Sequence, residues 1–217
     1  MRKSVLFSVV AFLLIWTSAC SSQVAPPANA LFFDDFKQAS SNWPRIQNDA
    51  GISDFANGYY HIFVKDPGTL ILAKLDKVFQ ADVSIEVDAR KLGGTDDNYY
   101  GILCHYQDPD NYYMLLITSD GYSGIAMRQG GLDSMISPAL KFLKMNGIKT
   151  GRGVNHIRAD CVGDKMALFV NGKQVSLAYS KSITGGSTGL VVRSGMYLGD
   201  TDVRFDNFTV LPPLAEP

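Results

Sequence analysis

An excess of charge of either sign is missing from this chain: 20 Lys and Arg residues face 21 Asp and Glu residues, a formal charge of -1. There is neither the basic field that nucleic acid demands nor an acidic tail, and nucleic acid is excluded as a partner. Long segments rich in Ala, Glu, Lys and Leu are also lacking, which removes a helix-dominated fold. No apolar run is long enough to span a bilayer as a helix. No Gly-x-Ser-x-Gly or His-Glu-x-x-His string occurs, and the three histidines, His61, His105 and His156, are scattered. Nucleophile and metal-hydrolase chemistry are therefore without a motif. What is there suits an ordinary globular chain: 217 residues, 46% hydrophobic and 19% charged, too apolar for disorder and sized for one moderate domain. With 20 Gly, 10 Tyr and 12 Phe, the composition favours strands and turns.

The first residues belong to export rather than to the fold. Met1-Arg2-Lys3 is a basic start, Val5 to Trp16 an apolar run, and Thr17-Ser18-Ala19 a small-residue stretch ending at Cys20; residues 1–19 read as a signal peptide. Thr-Ser-Ala-Cys resembles the bacterial lipobox, with Thr17 where Leu or Val is usual, and this resemblance implies lipidation of Cys20. Acyl chains contributing about 0.8 kcal/mol per buried methylene would anchor the protein without any part of its fold crossing the bilayer. Removing Met1 to Ala19 takes two cations, leaving 18 against 21 acids and a formal charge of -3. Residues 20–30, with a Pro-Pro pair and no apolar period, read as an extended tether. A domain is expected over 31–211. The tail over 212–217, with three prolines, cannot continue a ladder. The expected location is a bacterial cell envelope, outside the cytoplasm and lipid-anchored.

From Leu31 onward the chain reads as strand after strand. Ala81, Val83, Ile85, Val87 and Ala89 alternate with polar residues, so one face is core and the other wet. Further strands are expected over Tyr59 to Val64, Thr69 to Ala73, Tyr99 to Tyr106, Asn111 to Thr118, Ser123 to Met127, Asn155 to Cys161, Met166 to Val170, Gln174 to Ala178, Thr188 to Val192 and Val203 to Val210. Asn171-Gly172 predicts a tight hairpin, since both central residues of a type I′ turn need positive φ. Only Ser137 to Asn146 permits a helix. Such spacing without crossover helices favours an antiparallel two-sheet sandwich or barrel. Cys161 should face inward; Cys104 sits in a stretch, Tyr99 to Tyr106, that is apolar on both faces. The pair is either a disulfide, permitted outside the cytosol, or two separate buried thiols.

Several strings then carry a family likeness: Asp96-Asp97-Asn98-Tyr99-Tyr100-Gly101-Ile102-Leu103-Cys104, Asp108-Pro109-Asp110-Asn111-Tyr112-Tyr113, Ser119-Asp120-Gly121-Tyr122, Phe169-Val170-Asn171-Gly172-Lys173 and Val203-Arg204-Phe205-Asp206-Asn207-Phe208. Over 31–211 the chain resembles the concanavalin A-like lectin/glucanase superfamily, in the version found in bacterial surface lipoproteins and 3-keto-disaccharide hydrolase-type domains. The resemblance implies an all-β fold, a jelly-roll sandwich of two antiparallel sheets whose concave face takes carbohydrate. In carbohydrate-binding jelly rolls an Asp near the closing strand helps hold a structural ion with groups near the chain start. A structural calcium ion is accordingly expected at Asp34, Asp35 and Asp206, with hard oxygen ligands.

Function is read less sharply than fold. A sugar offers C–H faces to aromatic rings and hydroxyls to planar polar groups. Asp97, Asn98, Tyr99, His105, Tyr112, Tyr122 and Arg128 supply such groups and are the expected ligand-binding residues, although tyrosines also suit strands and Asp/Asn-Gly clusters suit turns. The rival class is a glycoside hydrolase acting on modified disaccharides or glucans, which needs two carboxyls across the scissile bond. Glu86-Val87-Asp88-Ala89-Arg90 resembles the Glu-x-Asp-x-Glu strand of laminarinase-type glucanases, but Arg90 stands where the last acid would be. Glu86 and Asp88 then read as the wet side of a strand, and no catalytic residue is assigned. A purely structural envelope protein is the third class.

Overall fold

A computed structural model describes residues 25–79, 82–197 and 199–214. The signal peptide, residues 20–24 of the tether including Cys20, Ala81 and the last three residues of the tail lie outside the described residues. No helix occurs among the described residues. Sixteen strands do: β1 (Phe32–Asp34), β2 (Ile46–Asn48), β3 (Gly51–Ala56), β4 (Tyr59–Val64), β5 (Leu70–Phe79), β6 (Val83–Gly94), β7 (Tyr99–Asp108), β8 (Asn111–Ile117), β9 (Tyr122–Gln129), β10 (Leu132–Met135), β11 (Leu143–Lys144), β12 (Asn155–Val162), β13 (Lys165–Val170), β14 (Lys173–Tyr179), β15 (Gly186–Arg193) and β16 (Thr201–Leu211).

They form two antiparallel sheets. One has nine strands in the order β14-β13-β12-β6-β16-β4-β3-β2, with β1 also on β16; the other has seven, in the order β10-β9-β8-β7-β15-β5, with β11 also on β9. Alternation decides which side of each strand meets the other sheet. Val83, Ile85, Val87 and Ala89 of β6, Ile157, Ala159 and Cys161 of β12, and Val203 and Phe205 of β16 are buried together with Tyr100, Ile102 and Cys104 of β7, Tyr113, Leu115 and Ile117 of β8, and Leu190 and Val192 of β15. This shared layer is the core. Cys104 and Cys161 are joined as a disulfide, Cα atoms 6.7 Å apart, tying β7 of one sheet to β12 of the other.

An aromatic cluster closes one side of the core. Trp43 lies 4.8 Å from Phe208 and 5.2 Å from both Phe36 and Tyr60, ring centre to ring centre. Its indole Nε1–H donates to Asp34 Oδ2 at 3.0 Å, so the ring is buried without an unsatisfied polar atom. The turn between β13 and β14 is built as expected: Asn171 and Gly172 have φ of 51° and 79°. The stretch from Ser137 to Asn146 is not helical. Pro138 and Leu140, at φ 52°, break any helical run, and Leu143 and Lys144 pair instead with Ser123 and Tyr122 of β9. β5 also runs past its expected end at Ala73 to Phe79, because Gly186 and Ser187 continue the ladder opposite it.

Candidate functional site

The two-sided apolarity of β7 finds its cause on the outer face of the seven-stranded sheet. Residues that point away from the core form a second apolar cluster: Leu103 of β7, Tyr112, Met114 and Leu116 of β8, Ala126 of β9 and Val191 of β15, with Tyr99, Met135 and Phe142 packed against it. The edge of β9 carries two short strands, β11 on its first residues and β10 on its last. The segment joining them turns over the sheet. Its Phe142 ring lies 4.7 Å from the Tyr99 ring at an interplanar angle of 53°. Gly124 makes room for this, because a Cβ there would stand 2.6 Å from Met135 Cε and 3.1 Å from Phe142 Cδ1.

What remains is a trough of about 210 Å3. Met114, Leu116, Ala126 and Val191 make its floor, Tyr99, Phe142 and Met135 its aromatic and thioether walls, and Arg193, Asp133 and Ser134 its polar groups. Arg193 sits opposite Tyr99 in the ladder. Its guanidinium is fixed by bonds from Nε to the Gly68 carbonyl at 3.2 Å and from Nη2 to Met196 Sδ at 3.1 Å. Asp133 accepts from Arg128 Nη1 at 2.9 Å. An apolar floor with a few fixed polar groups is the usual form of a small-molecule site.

Of the expected ligand-binding residues, Tyr99 lines this trough, and Arg128 stands behind it as the partner of Asp133. Tyr122 shares the outer face at the far end of β9, where the Lys144 ammonium lies 5.6 Å from its ring centre. The structure places the others outside the trough lining. Asn98 is buried and structural: its Oδ1 accepts from the Ser119 amide at 3.1 Å and its Nδ2 donates to the Thr95 carbonyl at 2.8 Å. Tyr112 is buried in a stack with Tyr106, ring centres 5.5 Å apart, and loss of solvent pushes its phenol up to about 12. Asp97 is exposed beside Gly195 and outside the trough lining. His105 sits in a bulge of β7 at φ 49°, with Nδ1 at 3.2 Å from the Ile183 carbonyl. It lines a separate depression with Asp82 and Lys181. Met135, Phe142 and Arg193 were not expected; only the two-sided apolarity of β7 signalled that something covers this face.

The three acids expected to hold calcium are not assembled for it. Asp34 accepts from the Phe36 amide at 2.8 Å, Trp43 Nε1 at 3.0 Å and Ser40 Oγ at 3.3 Å. Asp35 accepts from the Lys37 amide at 3.1 Å, and Asp206 faces Lys37 Nζ at 3.4 Å. No three His, Cys, Asp or Glu side chains converge as metal ligands among the described residues. Calcium takes six to eight oxygens, whereas these carboxylates already accept from N–H, O–H and ammonium donors, so the set does not fit the ion.

On the opposite, nine-stranded sheet, His156 Nδ1 lies 2.9 Å from Asp88 Oδ1. The Asp88 carboxylate raises the imidazole above its ordinary pKa of 6.5, while burial lowers His105 below it. NMR titration should find His156 changing charge above pH 6.5 and His105 below it, with D88N returning His156 downward. The stabilisation His156 gains is complete below pH 6.5 and is lost as pH rises through its raised value. An unshifted His156 in wild-type protein would remove the pair.

No protein-family model matches the chain, and no curated protein matches it. Solved structures do. The carbohydrate-binding module CBM66 from Bacillus subtilis is similar with a TM-score of 0.60 and 17% identity, over 78% of this chain and 95% of that one. The GH43 protein BlXynB from Bacillus licheniformis gives 0.61 and 15%, over 87% of this chain and 40% of that one. A xylan beta-1,4-xylosidase from Bacillus halodurans gives 0.58 and 12%, over 82% and 38%. The chain thus spans well under half the length of the two glycosidases. At these identities the likeness establishes architecture: the protein is an all-β jelly-roll sandwich of two antiparallel sheets.

Proposed function

We propose that this protein is a carbohydrate-binding module, tethered outside the cytoplasm by a lipid on Cys20, and that its ligand lies in the trough beneath Tyr99 and Phe142. The trough itself carries the reading: an apolar floor and an aromatic wall suit the C–H face of a sugar ring, while Arg193, Asp133 and Ser134 offer hydrogen-bond partners for ring hydroxyls. The likeness to a carbohydrate-binding module supports it at the level of fold. A hydrolase, including the 3-keto-disaccharide type, would need two carboxyls across the cleft; the trough lining holds one, Asp133.

A glycan array probed with the purified protein is expected to return a saccharide ligand. Tyr99→Ala and Phe142→Ala should each weaken its binding about tenfold, or ~1.4 kcal/mol, with the thermal midpoint little changed. Binding that ignores both substitutions would move the site elsewhere. The anchor is tested separately: labelled palmitate should enter the wild-type chain in a bacterial host and not Cys20→Ala, and incorporation into neither would leave an unanchored protein.

A further inference from the structure

The outer face of the nine-stranded sheet holds an arrangement that the trough does not use. Where β6 and β16 pair, Arg90 stands directly opposite Arg204 and Asp88 directly opposite Asp206. Like charges facing one another across a ladder destabilise it, so each pair needs neutralising. The fold does this for the acids. Asp88 has His156 Nδ1 at 2.9 Å on one oxygen and accepts from Asn207 Nδ2 at 2.9 Å on the other. Asp206 faces Lys37 Nζ at 3.4 Å. Asn207 reaches Asp88 because a bulge follows Asp206 and sets Asn207 at φ 54°.

The arginines have no such partners. Among the described residues no carboxylate pairs with either guanidinium. Arg204 Cζ lies 4.0 Å from the centre of the Tyr59 ring, a contact that does not satisfy the N–H groups of the fork. Arg90 Nε is shielded from solvent and has no hydrogen-bond partner. Both arginines line a depression of about 160 Å3 whose other walls include Tyr59, Asp88, Asp206 and Val154. The site therefore has two spare cations, a pair of ordered carboxylates beside them, and room for one ring.

We propose that this depression is a second saccharide site, selective for a sugar acid. The carboxylate of a uronate unit accepts from Arg90 and Arg204, a planar match that guanidinium makes better than ammonium. The ring hydroxyls donate to Asp88 and Asp206. The proposal rests on the carbohydrate reading for its ligand class only, since it uses no residue of the trough; two sites on opposite faces would let one molecule hold two glycan segments.

Trigalacturonate and its methyl ester test this on the purified protein by calorimetric titration, since the ester removes the charge and keeps the ring. The acid should bind at least ten times more tightly than the ester, and R90Q and R204Q should each cost tenfold or more for the acid. Tyr99→Ala should leave it unchanged. In the wild-type protein the Nε–Hε signals of Arg90 and Arg204 should shift with the acid and not with the ester, which needs no variant to fold. Equal binding of acid and ester, unmoved arginine signals, or loss of acid binding in Tyr99→Ala would each overturn the site. Acid binding alongside an otherwise blank glycan array would sink the trough and leave this site standing.

Discussion

Trp43→Ala is expected to cost the domain about 3–5 kcal/mol, the range for deleting a large aromatic from a packed core. Trp43 is 3% exposed and fills the space between Phe32, Phe36, Tyr60 and Phe208. These side chains come from β1, the loop after it, β4 and β16, so a void there loosens three pieces of sheet at once. The substitution also removes the indole donor from Asp34, whose carboxyl is already pushed up by burial. Trp43→Phe keeps most of the volume and should recover much of the loss. Chemical denaturation measures both; a cost below about 1 kcal/mol for the alanine variant would mean that the cluster collapses onto the gap or contributes little.

Loss of the disulfide has the second largest expected effect. Cys104 and Cys161 are 57 residues apart in sequence, and closing a loop of that length constrains the unfolded chain by roughly 4 kcal/mol in the chain-entropy view. The bond crosses the core from β7 to β12, so it also ties the two sheets to each other. The double variant Cys104→Ala/Cys161→Ala should unfold roughly 8–16 °C lower than the oxidised protein, at the 2–4 °C per kcal/mol usual for a domain of this size. Reductant should lower the wild-type midpoint and leave the double variant where it is. Identical midpoints with and without reductant would show that the link contributes nothing.

The fold was legible in most of the strands long enough to alternate, although the six-residue β3 was not foreseen. β6 and β12 have one wet and one buried side over many residues, and Asn171-Gly172 has a turn chemistry with few alternatives. β1 and β2 were not foreseen, because three residues cannot display a period; their pairing is set by β16 and β3 rather than by their own sequence. The candidate site was less legible still. Tyr99 looks the same in sequence whether it lines a groove or fills a core, and Asn98, next to it, proved to be a buried brace between two backbone groups. His105 left the expected surface because a bulge in β7 turns it, and a bulge leaves no mark in the residue pattern. Phe142 and Met135 reach the trough from the far side of β9, and Arg193 from β15, contacts set by strand order. The sequence did show that Tyr99 to Tyr106 is apolar on both sides, which a sheet facing open water on its outer side would not require.

The way the covering segment is tied down bears on how such a binding face can change over evolutionary time. The segment is held on both sides by β9 and the residue just ahead of it: the Ile136 and Ser137 amides donate to the Ile125 carbonyl, and beyond β11 the Met145 amide donates to the Gly121 carbonyl. Residues 138–142 are thus an exchangeable cassette mounted on a fixed frame. Its length and side chains can be rewritten without disturbing either ladder, and new ligand preferences can arise there while the sandwich beneath stays as it is.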